Sequence, residues 1–313
     1  MSVFEVRKFP EKSWSISKMK VIEECYRSYF YTYYGSHNGW LKDSNEEQKV
    51  AWRLKKLTNI WLMFGDKLHI TIKNIIDNKK YDIQKDMIKN NMRQVLNEGV
   101  KESATKATNG TWDEYPKGEM LQEYYYDGKL DKDDINKIKD RIESCTENFL
   151  RCKTYLDIKG ADIQILEVDE GKFEYIIVHN VKIFALIDTL YIDSEGNYVI
   201  VDWKTGAIGE HDREQLLVYV LYVMKKYNVS LEKIKGRVEY LNLGKNQEFS
   251  FGDKDIIYIK DRIKEDLNVI DAFLEEKEAN KPKPKEYFRK TENLKKCLKC
   301  KYKKICLNES EEW

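Results

Sequence analysis

Nowhere does this 313-residue chain approach the roughly 18 consecutive apolar residues that a membrane-crossing helix requires. Residues 1–12 hold no apolar segment of the kind that directs export, so the expected location is the cytoplasm. In a reducing compartment the six cysteines are not expected to form three disulfides. The phosphate-cradling pattern G-x-x-x-x-G-K-S/T is missing, which argues against an ATP-driven motor of that type, and no internal repeat marks a solenoid. An excess of one charge is missing too. The 55 Lys and Arg nearly balance the 54 Asp and Glu, so no global field draws the chain to a polyanion. The charge is uneven, however. Residues 281–304 carry eleven Lys or Arg against two Glu.

The length suits one large α/β domain with an added helical lobe, or two small domains. Residues 15–34 read as a helix opened by serines and dense in aromatics, ended by Gly35 and Gly39. Residues 46–78 place Leu54, Leu57, Trp61, Phe64, Leu68, Ile72 and Ile75 at three-and-four steps, which predicts one long amphipathic helix. Helices are also expected over 83–100 and 133–155, with a loop over 105–128. Strand-rich segments follow at 162–168, 172–179, 181–192 and 198–204. A helix apolar on one face comes next at 212–227, then a strand at 235–243 and a helix at 255–278. Pro282 and Pro284 then break the pattern. The expected organisation is a mainly helical region at 1–155, a mixed sheet flanked by helices at 156–280, and a basic tail at 281–313.

Chemistry concentrates in the segment 181–206. Asp193-Ser194-Glu195-Gly196-Asn197 separates two apolar runs and reads as a hairpin turn. A hairpin centred near residue 195 sets Asp188 opposite Asp202, with Cβ atoms roughly 4.5–5.5 Å apart. Asp202 and Lys204 are two apart on one strand and share a face. Two carboxylates and an ammonium at one point suit a hard divalent cation, Mg²⁺ or Mn²⁺, beside a phosphate. In a chain this charged, D-x-K alone is equally an ordinary surface pair. The apolar runs that lead into both aspartates favour a site, because a buried charge is costly without a partner or a metal.

The run L-I-D-T-L-Y-I-D-S-E-G-N-Y-V-I-V-D-W-K-T-G, residues 186–206, resembles the core of the PD-(D/E)XK nuclease superfamily, in particular its RecB-like exonuclease branch. Ile187 stands where the superfamily's name has proline. The resemblance implies a restriction-endonuclease-like α/β core with a central mixed sheet. Asp188 and Asp202 would be metal ligands, the Trp203 backbone carbonyl a further ligand, and Lys204 the catalytic lysine. Gly65-x-x-x-His69 matches a motif whose histidine ligates the metal, although a lone histidine beside an apolar stripe also reads as an interface residue. Gln215-x-x-x-Tyr219 lies four apart on one helical face and matches a motif that supports the site or touches DNA. Glu167 resembles a glutamate that precedes the first aspartate. His179 and His211 match nothing and read as surface or turn residues.

Cys297-x2-Cys300-x5-Cys306 offers three thiolates that could share one metal centre, and Cys25 is the best fourth. Spacing alone suits Zn²⁺ or iron–sulfur equally. The chain is similar here to RecB-like nucleases of the AddB type and the CRISPR-associated cluster nucleases, which implies a [4Fe–4S] cluster on Cys25, Cys297, Cys300 and Cys306 that joins both chain ends to the nuclease core. Cys145 and Cys152 are expected to be buried, apolar-like side chains. The tail lysines interleave with Tyr287, Phe288 and Tyr302, as on single-strand binding surfaces. Together these features predict a metal-dependent deoxyribonuclease, an exonuclease on single-stranded DNA or ends, with a helicase or CRISPR adaptation proteins as partners. The competing expectation is a non-enzymatic DNA-binding or scaffold subunit of a helicase–nuclease complex.

Overall fold

The computed structural model describes residues 6–160, 163–168 and 174–307. Residues 1–5, and the expected strand starts at Asp162 and Lys172, lie outside the described residues. The chain forms two compact units. One comprises Met1–Thr58, Glu102–Gly128 and Ile263–Trp313; the other comprises Asn59–Lys101 and Lys129–Arg262. Among the described residues no helix is long and apolar enough to cross a membrane.

The second unit is built on a five-stranded mixed sheet. Its strands are β2 (Gln164–Glu167), β5 (Thr189–Ile192), β6 (Tyr198–Lys204), β7 (Ile234–Tyr240) and β8 (Lys245–Ser250), side by side in that order. All neighbours are antiparallel except β6 and β7, which run parallel. A parallel pair needs a crossover, and helix α10 (Asp212–Tyr227) supplies it. The expected β5–β6 hairpin forms. Thr189 faces Val201 and Ile192 faces Tyr198, so the register runs on to Asp188 opposite Asp202. Asp193 closes the turn by accepting the backbone N–H groups of Glu195 and Asn197 at 3.0 and 2.8 Å. Gly196 supplies the left-handed residue at φ +78°. Leu190, Tyr191, Ile200 and Val201 are fully buried, and each such side chain contributes roughly 1.5–3 kcal/mol.

Helices surround this sheet: α4 (Ile60–Asp77), the start of α5 (Lys85–Asn109), α8 (Lys132–Arg151), α9 (Lys153–Lys159), α10 and the start of α11 (Asp253–Ala272). Several expectations need correction. The strand expected over 181–192 is two strands. β4 (Val181–Phe184) pairs with β3 (Tyr175–Val178), and β5 starts afresh at Thr189 in the larger sheet. His179 and Asn180, at φ 49° and 61°, turn the β3–β4 hairpin, as a two-residue loop with paired left-handed residues requires. Helix α10 is not apolar on one face only. Leu216 to Val223 are all buried, because α10 lies against β6 and β7 and also against β3. The helix expected over 133–155 breaks at Cys152, whose Sγ caps α9 by accepting from Tyr155 N at 3.4 Å. Cys145 is fully buried as expected, whereas Cys152 is half-buried. Strand β8 was missed, for its charged and polar residues make an exposed edge.

The other unit is mainly helical. It holds the two-residue strand β1 (Ser13–Trp14), α1 (Ile16–Glu24), α2 (Tyr26–Phe30), α3 (Glu46–Lys55), α6 (Thr111–Glu114), α7 (Gln122–Asp127), α12 (Leu294–Lys299) and α13 (Lys303–Leu307), with a small pair β9 (Leu274–Glu276) and β10 (Lys281–Pro282). The helix expected over 46–78 ends at Lys55. Asn59 starts α4 by accepting Leu62 N at 2.9 Å, a capping signal hidden inside an unbroken apolar period. Between them Thr58 is spent on backbone bonds with Met120 and Gln122 at 3.1 and 2.7 Å. The loop expected over 105–128 is partly helical, in the end of α5, α6 and α7. The helix expected over 15–34 breaks at Cys25, which is extended at φ −170°. Phe288 and Tyr302 are fully buried, so they are core rather than stacking platforms; Tyr287 alone of the three is exposed. Tyr302 stacks on Tyr31 at 5.4 Å, and Phe288 on Phe273 at 4.7 Å.

Candidate active site

At the ends of β5 and β6 the aspartates of the hairpin meet. The strand partner of Trp203 would be Ile187, but β5 does not extend that far. The Trp203 N–H donates instead to Asp188 Oδ2 at 2.8 Å, so a carboxylate stands in for a ladder bond. Asp188 Oδ1 lies 3.3 Å from His69 Nδ1 on α4. His69 also hydrogen-bonds the Trp203 backbone. One turn earlier, Gly65 turns toward the same strand end; a Cβ there would come within 3.5 Å of Thr205 Oγ1. The G-x-x-x-H and D-x-K-T-G motifs, far apart in sequence, therefore pack on one another.

Asp202 is 2 % exposed and faces Lys204, whose Nζ lies 2.7 Å from Asp202 Oδ2. The Lys204 ammonium is thus the charge partner of a carboxylate oxygen that is otherwise buried without a hydrogen bond. Lys204 Nζ donates to Gln215 Oε1 at 2.9 Å, and Gln215 Nε2 donates to the Tyr219 hydroxyl at 2.7 Å. The Q-x-x-x-Y pair is thus a brace on the lysine.

The electrostatics follow from burial and this pairing. Burial would lower His69, but the Asp188 carboxylate and, further off, Asp202 lift it to about 9. Burial would raise Asp188, yet His69, the Trp203 N–H and Lys204 hold it below its ordinary value. Asp202 rises to about 7, first from burial and then from the Asp188 charge, with Lys204 and His69 offsetting part. Lys204 is raised against its burial by Asp202, Asp188 and Asp212. Two carboxylates pushed in opposite directions at one spot are a mark of functional sites.

Asp212, near enough to act on Lys204, was read in the sequence only as a helix start. It is 5 % exposed and accepts from Tyr240 Oη at 2.9 Å and Gly209 N at 2.7 Å. Glu167 has its own partners. Its carboxylate accepts from Tyr222 at 3.2 Å and from Tyr227, and pairs with Lys226 at 2.9 Å. His211 sits in the turn before α10, 2.7 Å from Glu214.

A model of the PD-(D/E)XK nuclease superfamily matches residues 13–307. The chain belongs to the PD-(D/E)XK nuclease superfamily. No curated protein matches it. Membership in this superfamily implies metal-dependent nuclease chemistry on a nucleic-acid substrate. Among the described residues no group of three or more His, Cys, Asp or Glu side chains is drawn together as a metal centre. At the candidate site His69 and the Trp203 N–H hold Asp188, and the Lys204 ammonium lies against Asp202. The carboxylates of Asp188 and buried Asp202, hard oxygen donors close enough to shift one another's titration, nonetheless fit a divalent cation.

Cys25, Cys297, Cys300 and Cys306 lie in the helical unit, and all six cysteines of the chain are free thiols. Burial raises Cys300, and Cys25 and Cys297 stand near enough to raise it further. The turn is tight: Cys300 N bonds Cys297 O at 3.0 Å, and Tyr302 N donates to Cys300 Sγ at 3.4 Å. Cys306 packs with Cys300 against the apolar cluster around Tyr302. Arg27, two residues past Cys25, donates Nε to Phe288 O at 2.9 Å, so the N-terminal helices meet the C-terminal segment within this unit. Several tail lysines are already engaged: Lys281 with Glu276, Lys285 with Glu47, and Lys301 with Lys55 O.

Proposed function

We propose that the protein is a divalent-metal-dependent deoxyribonuclease acting on single-stranded DNA or DNA ends. The observation that carries this reading is the convergence of Asp188, Asp202 and Lys204, with the Lys204 ammonium 2.7 Å from a buried Asp202 oxygen. Asp188 and Asp202, with His69 and the Trp203 carbonyl, would hold Mg²⁺ or Mn²⁺, which when bound supplies positive charge at the phosphodiester and acidifies a water. Lys204 orients that water and offsets the charge that grows on the phosphate oxygens. Gln215 keeps the ammonium aimed, Tyr219 keeps Gln215 aimed, and Asp212 adds charge that keeps Lys204 protonated.

Cys25, Cys297, Cys300 and Cys306 would hold a [4Fe–4S] cluster with a structural role. The nearness of Cys25 and Cys297 to Cys300 supports this reading, and four thiolates are the donor set such a cluster takes. Service in recombination, repair or CRISPR-associated end processing uses the same site. A scaffold with a relict site is disfavoured, because the aspartates and the lysine are all present and braced. The test is cleavage of labelled single- and double-stranded DNA by protein purified without oxygen, with Mg²⁺ or Mn²⁺ and with chelator. Metal-dependent cutting that disappears in Asp188→Ala is expected. Absence of cutting on either substrate with either metal would overturn the nuclease reading.

A further inference from the structure

In the helical unit, the end of α5 together with α6, α7 and α13 lines an open cavity of about 520 Å³. This falls within the roughly 300–1,000 Å³ of small-ligand sites. Tyr124, Tyr125 and Tyr126 of α7, Trp112 of α6, and Lys303 and Lys304 of α13 line it. Lys106 and Asp113 also line it, so three cations face one carboxylate. The Lys303 ammonium lies 4.2 Å from the Tyr126 ring centre and Lys304 5.3 Å from that of Tyr125. Lys304 Nζ also donates to the Tyr125 hydroxyl at 2.9 Å and stands 3.8 Å from Asp113. Trp112 is 2 % exposed, and its indole N–H is buried without an acceptor.

We infer that this cavity seats a nucleotide of a single nucleic-acid strand, with a base against the tyrosine rings and its phosphates against Lys303 and Lys304. Aromatic faces beside ammonium groups are the combination that holds unpaired bases and their backbone together. A paired base hides its faces in the stack, so the seat selects single strands over duplex. The walls are held from behind: Tyr126 Oη donates to Lys301 O and Gln122 Nε2 to Lys299 O, both at 2.6 Å. This inference rests on the nuclease reading for its choice of polymer.

The test is fluorescence anisotropy of a labelled twelve-residue oligothymidylate in EDTA, where nothing is cut. Tyr124→Ala is expected to weaken binding roughly five- to 150-fold, the range for loss of one base–aromatic stack. Lys303→Gln with Lys304→Gln should weaken it further and lower the salt slope by about 1.4, since each single-strand phosphate contact contributes about 0.7. An iodouracil-substituted oligonucleotide should photo-crosslink to the peptide holding residues 124–126 of the unaltered protein, a readout that needs no variant to fold. Unchanged affinity in both variants, or crosslinks that avoid that peptide, would overturn the inference. Manganese-dependent hydrolysis of bis(p-nitrophenyl) phosphate, which has no base to stack, should be the same in the variants and the unaltered protein. If the unaltered protein fails to hydrolyse it, the nuclease reading falls, while the anisotropy and crosslinks still judge the cavity.

Discussion

The sheet unit and the helical unit treat their reactive side chains in opposite ways. In the sheet unit the charged groups hold one another: His69 braces Asp188, Gln215 braces Lys204, and Tyr219 braces Gln215. In the helical unit the aromatic core is tightly made, and Cys25 and Cys297 stand near Cys300, whose Sγ accepts from the Tyr302 N–H at 3.4 Å. The first arrangement is pre-organised by the chain itself. The second would be completed by a metal centre that ties the sulfurs together. If this contrast is right, altering the first should damage chemistry more than folding, and altering the second should do the reverse.

The largest effect is expected from Lys204→Ala. Loss of a positioned electrostatic donor costs on the order of 10²–10³ in rate. Cleavage should fall by that factor in a variant that still folds, and a variant that cuts DNA at the unaltered rate would remove Lys204 from the mechanism. Cys300→Ser tests the other side. Anaerobically purified, iron-replete protein should show a broad absorbance near about 400 nm that this variant lacks, as cysteine-ligated clusters are chromophores. Limited proteolysis should then open residues 288–307 first, with the sheet unit intact, because local stability need not be uniform. A colourless unaltered protein would count against the cluster. Gln215→Ala leaves Lys204 its ion pair but not its brace; about tenfold slower turnover is expected, the low end of the effect of groups that orient an active-site residue. A rate within twofold of the unaltered protein would make the pair a packing contact.

The smallest expected effect is also the sharpest. Asp202 has its folded-state proton affinity raised to about 7, against roughly 3.9 in an unfolded chain. The protonated form is the one folding favours, so stability from this group is present below about pH 4 and is lost as pH rises through about 7. Asp202→Asn should therefore stabilise the metal-free protein by about 1–2 kcal/mol at pH 8 and by little at pH 5. Equal melting shifts at the two pH values would show that burial of this carboxylate is not the cost it is taken to be.

Much of the sheet unit was legible because its signals are local. The turn Asp193–Asn197 sets the hairpin register, and the register sets Asp188 against Asp202. The ranges of β6 and α10 match those expected from the sequence, although α10 is buried on more than one face. The break between β4 and β5 was not legible. Apolar residues run through it without pause, and only the pairing of each half with a different strand divides them. Helices α3 and α4 were merged for a similar reason: the apolar period continues across Asn59, and the break is fixed by backbone bonds from Thr58 to distant residues. Tyr302 and Phe288 were misplaced because a lysine-rich tail reads as surface, although a tail packed on Tyr31 and Phe273 is core. Gln215 was legible only as a pattern. That it touches Lys204 is a property of the fold.

The bond from the Trp203 amide to Asp188 Oδ2 puts one carboxylate in two trades. It finishes a strand, and it is also an oxygen that a cation would seek. Whenever that oxygen turns to a cation, the amide loses its acceptor and opens to solvent. Hydrogen exchange at this single N–H should then quicken with Mn²⁺ or Mg²⁺ and slow with chelator, while its neighbours in β6 stay protected. One backbone proton would thus gauge site occupancy without any substrate present.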